Sequence, residues 1–523
     1  MRKGFYLIFI FFLLKTNLFS QSKLDAPLRG EILAKEIDYV NFVPIGELGL
    51  IVFGHSEEVK NKRDVWKIEC FDNTFKLKWK KEFLCLKNMQ IVEYTFSSDS
   101  IIDAFFSSTS FGYYDYTKIR LNIFTGAYTS FDYSGEKNIE IDHFNVLKNT
   151  VFISGIQKPG FLSYVGQFFY TFTIYPIFSG SKIYSIRPVV KCYNFEKNER
   201  YSNVPNIKGS SSTLCNQVDT ARNVFISIVK NQFKNTTKLI YFEYNNKGEM
   251  LLQKEMNTLD NKNILTGSLL FSENGDLLFA GTFSDGQGTN RQGLNVSDGM
   301  FFGKIEQGST PEIKFYKFYE FKNTFGTLSF SQMKRFSQRK QNNKPTDISF
   351  NLLMHKKITY VDSTYILLAE NYYPEYHNEV SYDSRGMMNQ QEIFDGFRYT
   401  HAIAAGFDVN GNLIWDNLME INDILSMRLQ ENVLVFQSGK EQAMVYYNDG
   451  ALNTKVFKGN QVIAQKSTDE IPTVKKNEKV IYEDFGQIYH WYGDFFLITS
   501  YQKVLESGGE KRKVYNFNKL IFQ

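Results

Sequence analysis

Six histidines, His55, His143, His355, His377, His401 and His490, are spread over the chain. No two of them fall at metal-motif spacing, and neither HExxH nor HxH occurs. His401 lies in a strand-like stretch, where a hydrogen-bonded core or rim imidazole is the simpler reading. No GxSxG elbow is present for a nucleophilic serine. Gly286-Gln-Gly288 and Gly508-Gly509 open no helix, so neither forms a phosphate cradle. Asp408-Val-Asn410-Gly-Asn412 alternates oxygen-bearing side chains as a calcium loop does, but it lacks the distal glutamate and reads better as a turn. No catalytic residue, metal ligand or cofactor-binding residue is assigned, and no cofactor is expected. Two sets of residues remain. Asp103, Asp285, Asp298, Glu370 and Asp395 lie at or near strand ends, where an acid and a base or nucleophile could flank a glycosidic bond if they converged. Tyr372, Tyr373, Tyr376 and His377, with Tyr382 and Tyr399 nearby, form an aromatic segment able to stack on a sugar or to anchor a protein interface.

The elements that must position these groups are strands. Apolar residues recur with a period of two, as in Gly49–Gly54, Val65–Phe71, Val224–Val229, Asp276–Phe283, Met300–Ile305, Tyr365–Glu370 and Thr400–Asp408. No amphipathic stretch of helical length is found, so the chain is all-β. A hairpin turn repeats among the strands. Phe407-Asp408-Val-Asn-Gly411-Asn-Leu-Ile-Trp415 is its clearest copy. Phe71-Asp72-Asn-Thr-Phe75-Lys-Leu-Lys-Trp79 keeps the spacing with Phe in the glycine position, and Tyr244 to Gly248, Tyr447 to Gly450 and Phe131 to Gly135 are related. Asp or Asn starts such a turn by bonding its own backbone, and glycine supplies the positive φ that reverses the chain. In two copies a glycine also lies five residues before the turn glycine, at 303 and 308 and at 406 and 411.

This pattern resembles the repeat of bacterial seven-bladed β-propellers, and more loosely the repeats of quinoprotein-dehydrogenase-like propellers. The resemblance implies a single β-propeller of four-stranded antiparallel blades, seven of them within a range of six to eight, carrying loop insertions. Candidate blades lie near 39–86, 90–136, 139–205, 212–258, 263–320, 348–420 and 425–460. The tail 478–523 either completes the ring with the first strand after the leader or forms an eighth blade. A tandem of β-sandwiches is the competing architecture. Three insertions stand out, 285–297, 331–346 and 372–397. The second contains the basic run 334–344, which suits an anionic glycan, a lipid surface or plain solvation.

Residues 1–20 read as a signal peptide: Arg2 and Lys3, an apolar run to Leu14, then a small residue at Ser20. The β domain then spans 21–523, with no transmembrane segment left after cleavage, and an exported chain in the periplasm, at the outer membrane or outside the cell is expected. With 60 basic and 56 acidic residues the net charge is only +4, which argues against nucleic acid as a partner. Cys70, Cys85, Cys192 and Cys215 would form two local disulfides, 70–85 and 192–215, or stay as buried thiols. The expected function is that of a non-catalytic binding scaffold for an envelope protein or glycan, peripheral to the outer membrane or accessory to a secretion assembly. The alternative is a secreted propeller hydrolase or lyase using the carboxylates above.

Overall fold

The computed structural model describes residues 28–521, apart from 158–186, 195–198, 257–261, 306–311, 324–333, 343–347, 383–386, 472–477 and some isolated positions. The leader assigned to 1–20 lies outside the described residues. Strands account for nearly all regular structure, and they assemble into eight antiparallel sheets. Seven are consecutive in the chain: 37–85, 90–137, 139–203, 210–256, 263–317, 352–426 and 433–470 (blades 1 to 7). The eighth takes Lys479–Tyr492, Phe495–Leu505 and Lys511–Ile521 from the C-terminus and Leu28–Leu33 from the other end of the chain.

The described residues therefore form an eight-bladed β-propeller, at the upper end of the expected range. Both readings of the tail hold together, since it is an eighth blade and the first strand closes it. Leu28 pairs with Lys519 and Leu33 with Val514. Within the tail, the strands ending at Tyr492 and starting at Phe495 form a hairpin that turns at Gly493. Gly30 is required at the seam, because a Cβ there would lie 2.1 Å from the Phe517 ring.

Each blade packs its apolar face on the next. Blades 1 and 2 share Phe53, Trp66, Phe83 and Phe106, blades 5 and 6 share Met300, Phe302, Leu367 and Phe407, and blades 8 and 1 share Trp491, Phe517, Phe42 and Val52. One such cluster joins every neighbouring pair around the ring. Eight interlocking cores leave no long sheet edge free, the property that separates a ring from two sandwiches.

The repeated turn joins the third and fourth strands of a blade. Asp72 Oδ1 accepts the N–H groups of Thr74 and Lys76, Asn245 those of Lys247 and Glu249, and Asp408 those of Asn410 and Asn412, all at 2.8–3.0 Å. The left-handed position is held by Gly248, Gly411 and, at φ +63°, Phe75. A phenylalanine there costs about 1 kcal/mol of backbone strain. Its ring offsets that cost by stacking on Trp491 at 5.6 Å and edge-on against Phe517 at 4.6 Å, across the seam. In blade 2 the turn is Asn122 to Gly126, whereas Phe131 to Gly135, expected as a copy, lies inside the strand Tyr128–Lys137. Tyr447 to Gly450 joins the second and third strands instead, and so lies at the other end of its blade.

All four cysteines are free and buried. Cys70 faces Trp79 and Cys85 faces Asp64, at opposite ends of one strand pair, which forbids the expected local disulfide. Cys192 and Cys215 belong to different blades, 3 and 4. Burial pushes the Cys85 and Cys192 thiols up to about 12, so they are inert packing groups.

Candidate functional site

Antiparallel order decides where insertions emerge. In every blade the link between second and third strands leaves at the end where the inner strand begins, and so does the link to the next blade. The three expected insertions are links of these two kinds and therefore share one face of the ring. Contacts knit them together there. Ser297 bridges to Phe350, Ser349 Oγ donates to Asp298, and the Tyr372 N–H donates to the Asn351 carbonyl at 3.0 Å.

The segment 372–397, expected as a loop, is instead a ribbon. The second and third strands of blade 6 run on as Thr364–Tyr382 and Met388–Phe407, far past the inner strand. Alternation then sorts the aromatic candidates by face. Tyr372, Pro374 and Tyr376 lie opposite Tyr399, Phe397 and Phe394 respectively. Their rings form a continuous stripe, with Tyr372 and Phe397 5.5 Å apart, Phe397 and Phe394 5.1 Å, and Phe394 and Tyr376 5.4 Å. Tyr399 and Tyr372 are its buried root and Tyr376 its exposed end. The Tyr399 hydroxyl donates to the Gln430 carbonyl at 2.9 Å, and burial lifts its pKa to about 12. Tyr373 and His377 sit on the opposite, polar face, beside the Arg398–Glu375 ion pair and the His377–Asp395 contact of 2.5 Å. The candidates thus split, Tyr372, Tyr376 and Tyr399 on the stripe and Tyr373 and His377 behind it. Val380, Met387 and Met388, near the tip, are exposed.

The link from blade 6 to blade 7 supplies what sequence reasoning missed. Leu425–Ser426 adds a short strand beside Phe397 and Arg398, and Leu425, Met427 and Leu429 are exposed. Arg428 in the same link donates to Gln90 of blade 2 at 3.2 Å, reaching across the mouth of the ring. Lys356, from the break in the inner strand of blade 6, places its charge near Glu93 of blade 2 and His143 of blade 3. Burial raises the Glu93 carboxyl, with the Phe144 N–H (3.2 Å) and Lys356 pulling it down. Burial and Lys356 together lower His143 to about 4, leaving it a neutral imidazole at pH 7. The signal for these residues was periodic. Tyr39, Glu93, His143, Cys215 and Thr266 each follow a bulge at the same place in an inner strand, visible only once the blades are in register.

The candidate carboxylates do not converge. Asp103 is wholly buried in blade 2, held by Arg120 in a two-pronged contact at 3.0 Å and by Lys118 at 3.0 Å. Asp298 accepts from Ser284, Ser349 and the Asp285 N–H, and Asp285 is bridged by Lys262 and Lys317. Glu370, also wholly buried, receives His355 Nε2 at 2.7 Å, the Asn432 and Val433 N–H groups at 2.7 and 2.9 Å, and the Asn432 side chain at 2.9 Å. It latches blade 6 to blade 7. His401 is a core imidazole, bonded to Thr400 at 2.9 Å and lowered by burial to about 4. Of the basic run 334–344, residues 334, 337–339, 341 and 342 are described, and all six are exposed. Among the described residues, no helix is long and apolar enough to cross a membrane.

Fold and site define a propeller with one elaborated face. No family model and no curated protein matches the chain. Among solved structures it is similar to polysaccharide lyase Uly1, at 10% identity over 93% of this chain and 100% of that one, with a TM-score of 0.39. It is also similar to prolyl oligopeptidase B from Galerina marginata, at 7% identity over 90% of this chain and 56% of that one (TM-score 0.39), and to a eukaryotic initiation factor, at 10% identity over 87% and 95% (TM-score 0.34).

Proposed function

We propose that this protein is an exported, non-catalytic binding propeller that presents its elaborated face to a protein partner in the bacterial envelope. One observation carries the reading: the aromatic ribbon of blade 6 and the exposed Leu425, Met427 and Leu429 of the adjoining link lie on the same face. An exposed patch of rings, Met and Leu on a rigid β scaffold is the composition of a protein interface core. The leader supports export, and the signal-like order of residues 1–20 is its basis. Gentle solubilisation of envelopes with wild-type chain and with a chain whose residues 376–394 are replaced by a two-residue turn tests the idea. A stoichiometric companion retained by the first and lost from the second is expected. Equal recovery by both would overturn it.

A second reading rests on Glu93 and His143, in the inner strands of the neighbouring blades 2 and 3, both within reach of the Lys356 charge. A carboxyl raised by burial and a neutral imidazole are the acid and base types that a polysaccharide hydrolase or lyase uses. Release of oligosaccharide from envelope glycan by the pure protein, abolished in Glu93→Gln, would favour it over the scaffold.

A further inference from the structure

A cavity of about 320 Å³ opens on the flank of the ring, between the outer strand of blade 6 and the last two strands of blade 7, away from both the ribbon and the central opening. Leu418, Glu420, Lys455, Gln465, Lys466 and Asn323 line it. Its volume equals about ten waters at ~30 Å³ each, the size range of small-ligand sites.

The lysines give it chemistry. Lys455 donates to the Leu418 carbonyl at 2.5 Å, which fixes its ammonium at the wall. Lys466 differs, because its Nζ is buried with no hydrogen-bond partner among the described residues and lies 5.1 Å from the centre of the Tyr446 ring. A ring face attracts a cation but cannot accept three N–H bonds, so a buried ammonium without an acceptor is costly. Natural structures rarely leave such a group unmatched without a use for it. A swing of the half-buried Lys466 side chain off the Tyr446 ring brings its ammonium to an anionic oxygen in the cavity, which supplies the acceptor it lacks. Two ammoniums against the single carboxylate of Glu420 leave one positive charge, which selects a monoanion over a dianion. Glu420 and the exposed carboxamide of Gln465 can then bond hydroxyl groups, the first as acceptor only.

We infer that this flank cavity is a binding site for a small hydroxylated carboxylate of the sugar-acid class. The inference rests on residues separate from those of the proposed interface, so either can fail alone.

Calorimetric titration of the mature chain with D-glucuronate, D-glucose and inorganic phosphate tests it. Glucuronate is expected to bind at least ten-fold more tightly than glucose and more tightly than phosphate. Lys466→Met and Lys455→Met should each weaken glucuronate at least ten-fold, and Gln465→Ala about three-fold, with circular dichroism confirming the fold. Glu420→Gln should shift preference toward phosphate. Glucose binding as well as glucuronate, phosphate binding more tightly, or unchanged affinity in Lys466→Met would overturn the assignment. Should the buried lysine variants misfold, unchanged affinity in Gln465→Ala, at an exposed position, overturns it equally.

Discussion

The two faces of the ring follow different rules. On one, short turns repeat: an Asp or Asn caps its own backbone and a left-handed residue reverses the chain, in blades 1, 4 and 6 alike. On the other, the links vary from two residues at 61–62 to the ribbon of blade 6 and the crossing link of Arg428. The turn face is constrained where its turns pack on the neighbouring blade, as Phe75 does on Trp491 and as Gly248 lies against Cys192. The elaborated face projects beyond the packed layers, so its links are free to lengthen. Stability should therefore be lost by changes at the seam and turns, and binding by changes on the elaborated face.

The largest contrast pairs two deletions. Removing residues 28–33 strips the closing strand from blade 8 and exposes Phe517 and a sheet edge. A loss of at least ~4 kcal/mol in urea unfolding is expected, with association through the open edge visible by light scattering. Shortening the ribbon at 376–394 removes side chains that are mostly exposed, and should change stability by less than about 1 kcal/mol. A ribbon deletion as damaging as the seam deletion would end the division of labour.

Glu370 tests a place where the elaborated face is locked to the core. Glu370→Ala leaves His355 and two backbone N–H groups without their acceptor, at an expected cost of about 3–5 kcal/mol in chemical denaturation. Glu370→Gln keeps the shape and should cost less. Equal stability in both variants and wild type would mean that the latch is idle.

Acid sharpens the comparison. His401 has its pKa lowered by burial to about 4, against an ordinary 6.5. Between those values the unfolded chain takes up a proton that the folded chain refuses, so its contribution is present above about pH 6.5 and lost as pH falls toward 4. His355 behaves oppositely. Burial works against its charge, but the Glu370 hydrogen bond and the Glu370 and Glu431 charges raise it, so its contribution is full below about pH 6.5 and fades as pH rises through the raised value. His401→Phe should reduce the stability lost between pH 6.5 and pH 4 by about 3 kcal/mol at most, at 1.36 kcal/mol per unit. An unchanged slope would place the acid sensitivity elsewhere.

Sequence was a good guide where the repeat ruled and a poor one where it lapsed. Blades at 90–137 and 210–256 fell within two residues of their expected bounds, because the period-two pattern and the Asx turns both depend on local chemistry. The ribbon was read as a loop because Tyr372 to Phe397 mixes rings with Glu, His and Asn, and a two-stranded ribbon open on both faces lacks clean alternation. The approach of Lys356 to Glu93 was invisible for another reason. They come from opposite sides of the ring, and no local pattern encodes that meeting.

The smallest expected effects separate backbone from packing on the turn face itself. Gly275 and Gly248 hold comparable left-handed positions, at φ +81° and +78°. A Cβ on Gly275 meets nothing within 4 Å, whereas one on Gly248 lies 2.5 Å from Cys192 Sγ. Gly275→Ala should therefore cost about 1 kcal/mol, the left-handed penalty alone. Gly248→Ala adds a clash with a buried thiol between blades 3 and 4, and should cost ~1–3 kcal/mol more. The double variant Gly248→Ala, Cys192→Ala opens room for the new methyl and should recover part of that difference, measured by the urea midpoint. Equal costs for the two single variants would mean that turn conformation alone shapes this face. A larger cost at Gly248, relieved in the double variant, would show that packing between blades holds the turns in place.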